Sequence, residues 1–109
     1  MLTEQEFQQN ADAALGSLFS RLAEASGDYD FDVDMNGGAL SVEFEEPRER
    51  FVVSPNSPVR QIWVSAHVQS FKFDWLPARS VFALSSSGQT LEELMVDAIR
   101  RRIPNFNLG

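Results

Sequence analysis

Apolar residues near the start of the chain recur at helical spacing: Phe7, Ala11, Ala14 with Leu15, Leu18 and Leu22 lie three or four apart. Thr3, three residues before Glu6, has the form of a capping box, and Glu4 and Glu6 suit the positive end of a helix. The spacing predicts a helix over about 4–25, ended by Ser26-Gly27. The period then changes to two. Asp28-Tyr29-Asp30-Phe31-Asp32-Val33-Asp34-Met35 alternates for eight residues, which predicts a strand with an acidic face and an apolar face. Asn36-Gly37-Gly38 signals a hairpin, after which 39–45 alternates again with Leu40, Val42 and Phe44 on one side. Glu46-Pro47-Arg48-Glu49 turns the chain. Shorter strands are expected at 50–54, 60–66, 70–75 and 80–84, with breaks at Ser54-Pro55-Asn56-Ser57-Pro58, His67 to Gln69 and Leu76-Pro77-Ala78-Arg79. Thr90 and Glu93 form a second capping box. It opens a helix at about 91–102, with Leu91, Leu94, Met95, Ala98 and Ile99 apolar, Arg100 to Arg102 at its negative end and Pro104 beyond.

The order α-β-β-β-β-β-β-α predicts an α+β fold. It is a two-layer sandwich in which a meandering antiparallel sheet of about six strands is flanked on one face by N- and C-terminal helices. The 109 residues, 43% of them hydrophobic, suit one domain over 1–109 with one core. No apolar run reaches the ~18 residues of a membrane span. Met1 to Glu6 is acidic and polar, unlike a signal peptide or an Arg-rich transit peptide, and the expected compartment is the cytoplasm. Without cysteine there are no disulfides, thiolate metal sites or cysteine nucleophiles.

Charge sharpens this picture. Residues 1–46 hold eleven acids and one base, Arg21, about −10; residues 47–109 hold five acids and eight bases, about +3, giving the net −7. The acidic half should attract cations or a basic partner and should repel nucleic acid. Aspartates at i, i+2 on a strand lie about 6.5–7 Å apart, and each adjacent pair repels by about 0.6 kcal/mol in water. Aspartate is also a poor strand former. One reading of Asp28, Asp30, Asp32 and Asp34 is an edge strand kept soluble by charge. The other is a binding ridge, widened by Glu24 at the helix end. Oxygen-only donors suit hard cations, and carboxylates spread along a strand leave most coordination to water, so binding would be weak, exchangeable and unselective. No EF-hand pattern is present.

On the 60–66 strand Ile62 and Val64 share one parity, and Gln61, Trp63 and Ser65 share the other. The aliphatic pair belongs inside, so Trp63 is expected on the open face of the sheet, as an interaction hot spot or as a ring half-covered by neighbouring stems. Lys72 and Asp74 have the polar parity of the next strand. His67, the sole histidine, falls in a turn without a nucleophile or acid in evident geometry. Ser85-Ser86-Ser87 lacks a nucleophile-elbow pattern, Glu92 and Glu93 are helix-dipole partners, and no glycine loop for phosphate exists. No catalytic residue and no organic cofactor is predicted.

Three segments carry a resemblance to a known family. They are Asn36-Gly37-Gly38-Ala39-Leu40 after an acidic strand; Pro58-Val59-Arg60-Gln61-Ile62-Trp63-Val64-Ser65, which looks like P-x-x-Q-I-W-L-S; and Phe71-Lys72-Phe73-Asp74-Trp75, followed by Ser87-Gly88 and Leu91-x-x-Leu94. In this order, between these helices, they resemble the bacterial-type frataxins over nearly the whole chain. The resemblance implies an iron-binding protein acting as iron donor or regulator in iron–sulfur cluster assembly. It implies weak, exchangeable Fe²⁺ or Fe³⁺ at Glu24, Asp28, Asp30, Asp32 and Asp34. It implies partner contacts at Gln61, Trp63 and Lys72, with the cysteine desulfurase as main partner and the cluster scaffold protein beside it. The expected state is a monomer that forms oligomers with iron. The chain departs from the family pattern in the second half of the first helix, where frataxins usually carry several carboxylates and this sequence keeps only Glu24. Two further readings stay open: an acidic interaction module that docks on a basic partner without metal, and a ferroxidase, which would need a compact ligand cluster.

Overall fold

The computed structural model describes residues 2–108. Its elements are α1 (Glu4–Ala25), β1 (Asp32–Asn36), β2 (Ala39–Glu45), β3 (Arg48–Asn56), a 3₁₀ turn (Ser57–Val59), β4 (Gln61–Ala66), β5 (Gln69–Leu76), β6 (Val81–Ala83) and α2 (Leu91–Arg100). The six strands lie in chain order in one sheet, every neighbouring pair antiparallel. This is the expected two-layer α+β meander. Leu40, Val42, Phe51, Val53, Ile62, Val64 and Phe73 point to one face. There they form a single hydrophobic cluster with Phe7, Leu15 and Leu22 of α1 and Met95 and Ile99 of α2. At about 25 cal/mol per Å² of apolar area, each such side chain contributes roughly 1.5–3 kcal/mol. The opposite face of the sheet is left open.

Local chemistry sets the boundaries. Both capping boxes form: the Thr3 amide donates to Glu6 Oε1 at 2.9 Å and the Glu6 amide to Thr3 Oγ1 at 3.1 Å. Thr90 and Glu93 repeat the exchange at 2.9 and 3.2 Å. Gly37 and Gly38 take φ of +62° and +84°, the left-handed pair that a two-residue hairpin requires, and they set Asn36 opposite Ala39.

Two strands differ from the sequence reading. The first starts at Asp32, not Asp28. Its register places Asp32 against Glu43, so residue 30 would meet Glu45 and residue 28 would meet Pro47, where the chain has already turned toward β3. Ladder partners therefore run out, and 28–31 becomes a connection with a Phe31 N–H to Tyr29 carbonyl bond of 3.0 Å. The in-and-out alternation survives nonetheless: Phe31 is buried, Tyr29 half-buried, and all four aspartates are exposed. The third strand runs to Asn56 through Pro55. Pro55 lies beyond the start of β2 and pairs only with Ile62 of β4, so its missing N–H interrupts no second ladder.

The segment after α2 returns across the molecule. Phe106 is buried and meets the rings of Tyr29 and Phe31 edge-on at 4.9 and 5.8 Å. Arg100 Nε donates to the Phe106 carbonyl at 2.8 Å, and the Asn107 amide donates to the Tyr29 hydroxyl at 3.1 Å. The connection carrying Asp28 and Asp30 is thus pinned by the C-terminal segment.

Candidate functional site on the open sheet face

The expected ridge is divided among three places. Glu24 and Asp28 line one cleft with Arg21, Tyr29 and Leu108. Arg21 is itself paired with Glu92 of α2. Asp30 lines another cleft with Glu46, Glu49, Arg101 and Arg102. Asp32 and Asp34 point from β1 onto the open face of the sheet. All five carboxylates are exposed, and among the described residues no three His, Cys, Asp or Glu side chains converge to hold a metal ion. Any iron held here would be cargo kept largely by its own water, with single carboxylates beside it.

Parity placed the second set correctly. Ile62 and Val64 are buried, and Trp63 is 38% exposed on the open face. Trp63 lies directly opposite Lys72, and Gln61 directly opposite Asp74. The Lys72 ammonium stands 4.9 Å from the Trp63 ring centroid, within cation–π range. Trp63 Nε1–H donates to Gln61 Oε1 at 3.0 Å. Gln61, Trp63 and Lys72 therefore form one patch.

Register joins this patch to the acidic edge. Across the open face Asp34 pairs with Ser41, Ser41 with Val52, Val52 with Ser65, and Ser65 with Ser70. Asp32 pairs with Glu43 and Glu43 with Arg50. With strands about 4.8 Å apart, Trp63 on β4 sits roughly 15 Å from β1. The surface runs from the carboxylates of β1 and β2, past Arg50, Val52 and Ser65, to an aromatic with a cation on it. Sequence reasoning did not include Glu43. The signal was available: a two-residue turn at Gly37-Gly38 fixes Asp32 opposite Glu43.

His67 occupies the β4–β5 turn, with φ +52° beside Val68 at +56°. Its ring is turned inward. Nε2 lies 2.8 Å from the Ala98 carbonyl at the end of α2, and Nδ1 lies 3.0 Å from Glu49 Oε2. The other Glu49 oxygen accepts from Arg102 at 2.9 Å, and Arg102 also reaches the Pro47 carbonyl and covers the Phe44 ring. This network ties the end of α2 to β3 and to the hairpin turn.

The frataxin-like domain model matches residues 1–105. The chain belongs to the frataxin family. A solved structure of frataxin from Psychromonas ingrahamii is 26% identical, covers 93% of this chain and 91% of its own, and superposes with a TM-score of 0.78. Yeast frataxin, at 21% identity over 97% of this chain and 87% of its own, gives 0.74 and shares the fold. Frataxins as a family bind iron and interact with proteins of iron–sulfur cluster assembly. Among the described residues of this frataxin no helix is long and apolar enough to cross a membrane.

Proposed function

We propose that this frataxin acts in the cytoplasm as an iron donor or regulator of iron–sulfur cluster assembly, docking through the open face of its sheet onto the cysteine desulfurase, with the scaffold protein alongside. The observation that carries the reading is the continuity of that face. An exposed tryptophan in a polar surround is the usual centre of a protein contact, and the graded acidic edge beside it favours a basic partner surface. Gln61, Trp63 and Lys72 make the partner contact. Glu24, Asp28, Asp30, Asp32 and Asp34 hold Fe²⁺ or Fe³⁺ weakly, as hydrated ions that exchange readily. Titration with Fe²⁺ should broaden amide resonances centred on residues 24–34. Capture by the cognate desulfurase should be lost in high salt. Broadening centred on His67, or no broadening at millimolar Fe²⁺, contradicts the metal role.

A second reading has one observation in its favour. The five carboxylates are exposed and spread over three places instead of converging. In that reading the protein is an acidic module that docks on a basic partner without metal, and desulfurase binding would be the same with and without Fe²⁺.

A further inference from the structure

Asp74 completes the tryptophan patch from below. Its carboxylate Oδ1 accepts from Gln61 Nε2 at 3.0 Å, while Gln61 Oε1 accepts from Trp63 Nε1–H at 3.0 Å. The direction of this chain is fixed by chemistry. An indole nitrogen can only donate and a carboxylate can only accept. A carboxamide between them satisfies both in one orientation alone, oxygen toward Trp63 and nitrogen toward Asp74, so the neighbours settle which way the amide points. Glutamate at 61 could serve the indole but would set carboxylate against carboxylate at position 74. Cross-strand register makes the arrangement rigid, because Gln61 and Asp74 are direct partners, as are Trp63 and Lys72.

The ring so held is the exposed one. Lys72 lies over it, and beside it a shallow cleft opens among Ser54, Ser65 and Ser70. A half-exposed indole with a free N–H samples several rotamers, and ordering it on binding lowers affinity. Fixing it in advance removes that loss. We propose that Asp74 is a positioning residue for partner recognition: acting through Gln61, it holds the Trp63 indole in the orientation that the protein partner meets. This rests on the reading of Trp63 as a partner contact.

The test uses the whole protein, the cognate cysteine desulfurase, and the variants Asp74→Ala, Asp74→Asn and Gln61→Glu. Trp63→Phe identifies the Trp63 indole resonance by its loss. In Asp74→Ala that resonance should shift and exchange faster with solvent, while that of Trp75 stays in place. Affinity for the desulfurase should fall roughly three- to tenfold, the loss expected when one side chain is no longer ordered beforehand. In the Trp63→Phe background, where no indole N–H exists, Asp74→Ala should change affinity less than about twofold. Asp74→Asn retains an acceptor and should restore both readouts, whereas Gln61→Glu should reproduce the Asp74→Ala losses. An unmoved indole resonance in Asp74→Ala overturns the proposal. So does an equal loss of affinity in both backgrounds, which would mean that Asp74 contacts the partner itself. If the wild type does not bind the desulfurase, the partner reading fails and the recognition role of Asp74 falls with it. The indole resonance then still reports whether the hydrogen-bond chain exists.

Discussion

At the scale of single residues, two aromatic rings on this molecule do opposite jobs. Phe106 is buried against Tyr29 and Phe31, whereas Trp63 is 38% exposed and packs on one cation. Truncating Phe106 to Ala should cost about 3 kcal/mol or more, lowering the melting temperature by roughly 10–20 °C in a domain of this size. Trp63→Ala should cost under about 1 kcal/mol, because most of what it loses is surface contact. Thermal melts of the two variants, run side by side, check both values. A loss of several kcal/mol at Trp63 would place it in the core. Parity alone placed Trp63: Ile62 and Val64 could only face inward, so Trp63 faced outward. His67 was legible only as a turn residue. Its bonds to Glu49 and to the Ala98 carbonyl join β3, a hairpin tip and the end of α2, which no local pattern connects. His67→Ala removes the ring that links the Ala98 carbonyl to Glu49 and should destabilise by about 1–3 kcal/mol in denaturant unfolding.

At the scale of elements, both helices begin in capping boxes that depend on an ionised glutamate. The Thr3 amide and hydroxyl hold the Glu6 carboxyl below its usual range, and Thr90 does the same for Glu93. A carboxyl whose folded value is depressed adds stability above its unfolded value and loses it as pH falls through the folded one. Acid should therefore fray both helix starts. Carboxyl carbon shifts of Glu6 and Glu93, followed by NMR from pH 6 to pH 2, should show midpoints below those of an unstructured glutamate. Midpoints at the ordinary value would mean that the boxes are open in solution. Thr90→Ala should cost about 1 kcal/mol. These helix starts were plain in the sequence because every partner lies within three residues. The first strand was harder. The alternation from Asp28 to Met35 reported faces correctly, but strand pairing depends on where β2 turns, and that left 28–31 as a connection held by Tyr29 and the C-terminal segment.

At the scale of the whole molecule, the charge asymmetry becomes a surface gradient that runs from Asp32, Asp34 and Glu43 to Trp63 and Lys72. The sequence showed two candidate sites; the hairpin registers put Asp32 and Asp34 of the first on the same face as the second, while Glu24, Asp28 and Asp30 line clefts elsewhere. Replacing Asp32 and Asp34 with Asn preserves shape while removing two like charges at about 7 Å. It should stabilise the fold by roughly 0.5–1 kcal/mol at low salt and less at high salt. Lower stability at low salt would instead mean that the carboxylates make native bonds. The most direct test of the account is calorimetric titration of the cognate cysteine desulfurase with wild type, Trp63→Ala and Asp32→Asn/Asp34→Asn at two salt concentrations. Docking through the open face predicts at least a tenfold loss for Trp63→Ala at an unchanged fold, and a loss for the aspartate variant that shrinks as salt rises. Wild-type affinity in both variants would contradict it.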